Sequence, residues 1–356
     1  MKIAFLAAAN SPHTIKWANV LADGNEVSVL SLPEDKDSFN ELNEKITVTY
    51  LDASAAQGGL KKNAGQVKTI LASGNFGAVN AIGATTYGVL AAKAKAPHTV
   101  LTVLGPDIYA SVDLGKKGLV AKSFKHAEAI IAAAPNMVTR LKQLFKKEKN
   151  YFVAPFGVDL GAFQKKAVGK KEGTICFGSL KALEYGNGVD MVIEAFAKFL
   201  QKAAGEATLK IVGTGTMESS LKQQAQSAGI ADKIEFVGYV PNAQMPDMIN
   251  SMDVTIQMSA TEAFGVTGIE SMACCVPVIA SDTVGASEYI LNGVTGYLVK
   301  VNNTDRCCEC MLELRDKAAR EHMGQLARND MEESFDLAKN KVKYEEALRS
   351  VAARVQ

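Results

Sequence analysis

The chain predicts an α/β protein with two parallel sheets, each covered by helices, on three observations. Strand-like and helical runs alternate along both halves, the length exceeds what one core holds comfortably, and a break rich in lysine and glycine divides the chain. The alternation starts at once. Lys2 to Ala8 is a short apolar run suited to a buried parallel strand, Thr14 to Ala22 carries helical spacing, and Glu26 to Leu32 returns to strand character. At 356 residues and 47% hydrophobic content, the chain has material for two cores. The break is Gln164 to Gly173, and a second sheet is expected to open at Thr174 to Phe177. The expected domains are residues 1–160 and 170–335, with an apolar-spaced helix over Asp336 to Arg354 closing the chain.

Composition excludes several function classes. A net charge of +1 gives no global case for nucleic acid. The apolar start, Met1 to Ala9, is interrupted by Asn10, Ser11 and Pro12, and no later run reaches membrane-spanning length. Six cysteines, two of them the adjacent Cys274 and Cys275, suit a reduced cytoplasmic complement better than a disulfide frame. Cys307 and Cys310 would share a helix face, yet no histidine or second Cys-x-x-Cys lies nearby, so no metal is expected. Gly213-Thr214-Gly215 lacks the third glycine of a dinucleotide fingerprint, which argues against a nicotinamide enzyme. From Lys116 to Lys149, nine lysine or arginine residues face two glutamates; an anionic membrane surface or simple solvation fits this stretch.

The richest segment runs from Ser259 to Ser281. Asp253 to Met258 reads as a half-buried strand, a loop follows through Gly265, and Val266 to Cys274 is a short helix stopped by the approach of Pro277. The first turn of that helix leaves backbone N–H groups for an anion, and Gly265 allows close approach. Glu262 and Glu270 flank the turn. In one continuous helix they would stand roughly 80° apart, whereas a break at Phe264 and Gly265 aims both along one cleft. Carboxylates are acceptor-only groups and suit vicinal hydroxyls. A sugar-nucleotide site and a plain helix cap with solvated glutamates both remain open on spacing alone.

The same segment resembles the E-x7-E signature of glycosyltransferase family 4, where a Ser-x-x-Glu-x-Phe-Gly loop enters a Glu-(Ser/Ala)-Met-Ala helix. Further resemblances follow in order: Ile211 to Gly215, Phe236 to Val240, Pro277 to Ser281, Glu288, and Asn292-Gly293 with Gly296. Pro12-His13-Thr14 with Trp17, Gly105-Pro106-Asp107 and Gly157-Val158-Asp159 extend the likeness over nearly the whole chain. The resemblance implies a GT-B fold, two Rossmann-like domains with parallel sheets facing an interdomain cleft, and a last helix (about 336–356) crossing back to the first domain. It also implies a retaining transferase with no catalytic metal or other cofactor.

By that resemblance, the donor, a nucleotide sugar and preferably a UDP-sugar, binds the second domain, and a glycan or lipid-linked acceptor binds the first. Glu262 would hold the hexose hydroxyls with the backbone of Ala263, Phe264 and Gly265. Glu270 would bind the ribose, Val266 and Thr267 the diphosphate, and Tyr239 or Val240 the base. Gly213 would belong to the glycine turn beside the donor, and Lys181 would be the phosphate cation. Asn10, His13 and Asp107 fall on the acceptor side. Two positions depart from the family pattern: Ser179 stands where many members carry arginine, and Leu104 where many carry histidine. Those departures keep a non-catalytic nucleotide-sugar-binding protein in view; a GT-B nucleotide-sugar epimerase is disfavoured by the glutamate pair.

Overall fold

The structure, a computed structural model, describes residues 1–37, 41–169, 173–203, 205–262 and 264–352. It divides into two compact units, Met1–Phe156 with Ala338–Gln356, and Gly157–Leu337. The second unit thus begins a little before residue 160, because Val158 bridges Asp336 and donates its N–H to the Phe335 carbonyl at 2.8 Å.

The first unit holds a seven-stranded parallel sheet of β1 (Lys2–Leu6), β2 (Glu26–Ser31), β3 (Thr47–Tyr50), β4 (Ala78–Ile82), β5 (Thr99–Val103), β6 (Ala129–Ala132) and β7 (Asn150–Val153). Its order is β3-β2-β1-β4-β5-β6-β7. Ile3, Ala4, Phe5 and Leu6 are all fully buried, as in a parallel strand covered on both faces. Pro12 opens the Pro12–Ala22 helix at a position where its missing N–H costs nothing. That helix buries Trp17, whose ring stacks on Tyr344 with centroids 4.1 Å apart. Tyr344 belongs to the Leu337–Ala352 helix, and its hydroxyl joins Asn80 of β4 and Thr102 of β5. The final helix is therefore part of the first unit's core.

The second unit holds a six-stranded parallel sheet of β8 (Thr174–Leu180), β9 (Glu206–Val212), β10 (Ile234–Gly238), β11 (Val254–Gln257), β12 (Val278–Ser281) and β13 (Gly296–Val299). Its order is β10-β9-β8-β11-β12-β13. Phe177 meets Phe196 and Phe199 of the Val189–Lys202 helix edge-on at 6.2 and 5.0 Å. Cys307, Cys308 and Cys310, on the Thr304–Glu313 helix, pack into the same core rather than face solvent. Burial raises their thiols, Cys310 to about 12. Among the described residues, no helix is long and apolar enough to cross a membrane.

Each sheet reverses its winding once, between β1 and β4 in the first unit and between β8 and β11 in the second. At such a switch point the two loops leaving the strands diverge and open a crevice at the carboxyl edge.

Candidate active site

In the second unit, β8 delivers Lys181 directly to the switch point, and β11 delivers the loop that carries Glu262. The ammonium of Lys181 donates to Glu262 Oε2, and the two side chains retain only 14% and 21% exposure. A lysine that is often just a solvated surface residue is here a half-buried partner of the expected sugar-binding carboxylate.

The backbone behind this pair is pinned. Lys181 donates its N–H to Val212 at 3.1 Å, and Leu183 donates to Thr214 at 2.9 Å. Gly213 has φ +135°, and a Cβ on it would stand 2.1 Å from the Lys181 carbonyl oxygen. Its role is close packing beneath the lysine loop, so it positions the cation. Opposite, Ala260 donates to Gly186 at 2.8 Å, and the Glu262 carbonyl accepts the Gly285 N–H at 3.0 Å.

The Val266–Ala273 helix begins where Gly265 adopts φ +85°, a conformation that favours glycine. Gly265, its N-cap, has no side chain with which to cap the first turn. Val266 and Thr267 lie half-buried there, and Thr267 Oγ1 accepts the Gln257 amide at 3.0 Å. Phe264 is buried, with its ring 5.8 Å from that of Tyr289. Glu270 lies on the helix at 6% exposure. Ala263 lies outside the described residues.

Other expected positions divide. Tyr239, just beyond β10, is 48% exposed, whereas Val240 is buried. Gly213 donates to the Gly238 carbonyl at 2.8 Å, which joins the turn beneath Lys181 to the Tyr239 loop. Ser179 is not at the surface: it lies inside β8, and its hydroxyl has no partner among the described residues. One residue was missed. Tyr289 is buried against Gly265 and Gly268, its hydroxyl has no partner among the described residues, and burial and then Glu262 push it far above the usual phenol range. Only the fold brings it beside the helix start.

At the carboxyl edge of the first sheet, Asn10 is exposed and donates its N–H to Asp35 at 3.1 Å. His13 is half-buried and stacks on Phe156 at 4.1 Å; its covered position, with Lys16 nearby, lowers its pKa to about 4. Asp107 is buried, and its Oδ2 accepts the Ala84 N–H at 2.5 Å while Oδ1 has no partner among the described residues. Burial raises its pKa to about 7.

Two family models match this chain. The model described as glycosyl transferases group 1 covers residues 162–330, and the one described as glycosyl transferase 4-like covers residues 2–134. The chain belongs to the group 1, family 4-like glycosyltransferases. The group 1 match contains Lys181, Glu262 and Glu270; the 4-like match contains Asn10, His13 and Asp107.

This chain is similar to N-acetyl-alpha-D-glucosaminyl L-malate synthase of Bacillus anthracis, 27% identical over 69% of this chain and 64% of that protein. Matches to the curated relatives span 39% to 64% of their lengths. Among solved structures, sucrose-phosphate synthase from Thermosynechococcus elongatus superposes with a TM-score of 0.84 at 17% identity, over 99% of this chain and all of that one. Anabaena HepE in complex with UDP and glucose gives 0.79 at 18% identity, over 98% of this chain and all of that one. At such identities these likenesses bear on the fold: two Rossmann-like α/β units in one chain, the GT-B class.

Proposed function

We propose that this chain is a retaining glycosyltransferase that moves a hexose from a nucleotide sugar, preferably UDP-linked, to a glycan or lipid-linked acceptor. The observation that carries the reading is the meeting of Lys181 and Glu262 at the switch point of the second sheet, against the glycine-capped start of the Val266–Ala273 helix. A diphosphate gains charge as the glycosidic bond breaks, so an ammonium and a helix N-terminus aimed at it favour the transition state over the ground state. Glu262 orients the hexose hydroxyls, Glu270 holds the ribose, and the Tyr239–Val240 backbone meets the base. The donor is a substrate, and the reaction needs no resident metal. The acceptor attacks from the face the leaving group departs, and the departing phosphate takes its proton. The preference for UDP is supported by HepE, which was solved with UDP and glucose.

On the first unit, Asn10, His13 and Asp107 form the acceptor side. A lipid-linked acceptor agrees with the exposed stretch Asp113 to Leu119, where Leu114 and Leu119 are 75% and 40% exposed around Lys116 and Lys117. Two leucines beside two lysines suit peripheral contact with an anionic, cytoplasm-facing membrane. Sedimentation with anionic vesicles tests this: wild type pellets at low salt, whereas Leu114→Ser with Leu119→Ser stays in solution.

The buried Ser179 hydroxyl, where many family members carry arginine, favours the second reading of a sugar-nucleotide-binding protein without turnover. The deciding experiment incubates the chain with UDP-glucose, UDP-N-acetylglucosamine and GDP-mannose and measures nucleoside diphosphate release. Release that depends on Glu262 supports the transferase; a donor that binds yet stays intact supports the second reading.

A further inference from the structure

We infer that Lys181 and Glu262 form an exchange pair, in which the glutamate occupies the lysine while the site is empty and the donor diphosphate must take that lysine over. The inference rests on the donor-site reading above and adds how the site is regulated by its own carboxylate.

Three observations carry it. Both charged groups have lost most of their water, so neither can leave the other without gaining a new partner. Their backbones are pinned by the bonds to Val212 and Gly285, so the change needs only side-chain motion. The stem of Glu262 also lies against the helix start: a Cβ on Gly265 would stand 3.3 Å from Glu262 Cγ. An anion arriving at the helix therefore meets a carboxylate already in place, bound to the cation it needs.

A sugar nucleotide resolves this conflict at both ends. Its diphosphate takes the ammonium, and its hexose hydroxyls donate to the released carboxylate. A nucleoside diphosphate supplies only the first half and leaves Glu262 charged, half-desolvated and without a partner. After transfer, the carboxylate competes again for Lys181, and the pair helps expel the product. The device ranks donor above product, a difference of affinities made by a built-in competitor.

The test measures calorimetric affinities of UDP, GDP and ADP for wild type, Lys181→Ala, Glu262→Gln and the double variant. Thermal melts are read first, and Glu262→Ala is run in parallel in case the glutamine variant misfolds. Glu262→Gln should bind the preferred nucleoside diphosphate about tenfold more tightly than wild type, while its advantage for the sugar nucleotide is smaller or reversed. In the Lys181→Ala background the same change should alter affinity by less than about twofold, because the competitor acts only through the lysine. If Lys181→Ala weakens binding but Glu262→Gln gives no gain, the exchange is overturned and the donor site survives. An equal gain in both backgrounds would mean plain charge repulsion, which also overturns the exchange. No nucleotide binding to any form, or no effect of Lys181→Ala, would remove the donor-site reading and the exchange with it.

Discussion

The carboxyl edges of the two sheets share a winding pattern and differ in what their polar groups do. In the first unit they are largely spent on the protein itself: the Asp107 carboxyl holds the Ala84 N–H, the Tyr87 hydroxyl donates to Asp35, and Ser31 accepts the Ala9 N–H. In the second unit, a lysine and a glutamate pair with each other beside a helix start whose N-cap is Gly265, a residue with no side chain to cap it. The doubly wound sheet supplies a crevice in both cases, but the loops decide whether it is a brace or a place for charged chemistry.

The sharpest way to break the contrast is to remove one group from each edge. Lys181→Ala should lower the transfer rate by about 100- to 1,000-fold, the range for losing one group that stabilises developing charge. Asp107→Asn should cost less than about tenfold, since the amide oxygen can still accept the Ala84 N–H. Steady-state kinetics with the working donor check both, and equal losses would erase the distinction.

The next effect is on stability. Gly268 has no room for a side chain, because a Cβ there would stand 2.3 Å from the Tyr289 hydroxyl. Gly268→Ala should cost about 1–3 kcal/mol in denaturant melts, as overpacking does. Tyr289→Phe should be neutral or stabilising by about 1 kcal/mol, because it deletes a buried hydroxyl without a partner among the described residues. A clear loss of stability in Tyr289→Phe would mean that the hydroxyl is satisfied in solution.

The last effect belongs to the first unit's edge and is read from pH. Asp107 has a folded pKa raised to about 7, so its contribution to stability is full below about pH 4 and is lost as pH rises through 7. His13 has a folded pKa lowered to about 4, so its contribution is full above about pH 6.5 and is lost as pH falls through 4. Over pH 4 to 6.5 the two slopes oppose each other. Relative to wild type, Asp107→Asn should therefore gain stability as pH rises across that window, and His13→Gln should lose it. Parallel curves for the three proteins would show that neither group titrates differently in the folded state.

Much of this architecture was legible in residue order. The break before Val266 followed from Phe264, Gly265 and the two glutamates, and the helix observed at Val266–Ala273 differs from the expected one by a single residue. Strand β8 was anticipated at Thr174 but runs on to Leu180, which is why Ser179 is inside the sheet and Lys181 is the first residue of the loop. Lys181 and Glu262 are 81 positions apart, and their contact depends on β8 lying next to β11, a neighbour choice that no local pattern encodes. Tyr289 likewise gave no signal, since its importance comes from Gly265 and Gly268 packing against it.

The central claim is that the edge carrying Lys181, Glu262 and Glu270 is the nucleotide-sugar site. Its most direct test is calorimetric binding of UDP, GDP and ADP to wild type, Glu270→Ala and His13→Ala. The account predicts that one nucleotide binds wild type and His13→Ala alike and binds Glu270→Ala at least about tenfold more weakly, as for loss of a charged hydrogen bond. Binding that Glu270→Ala leaves intact, or that His13→Ala abolishes, would contradict it.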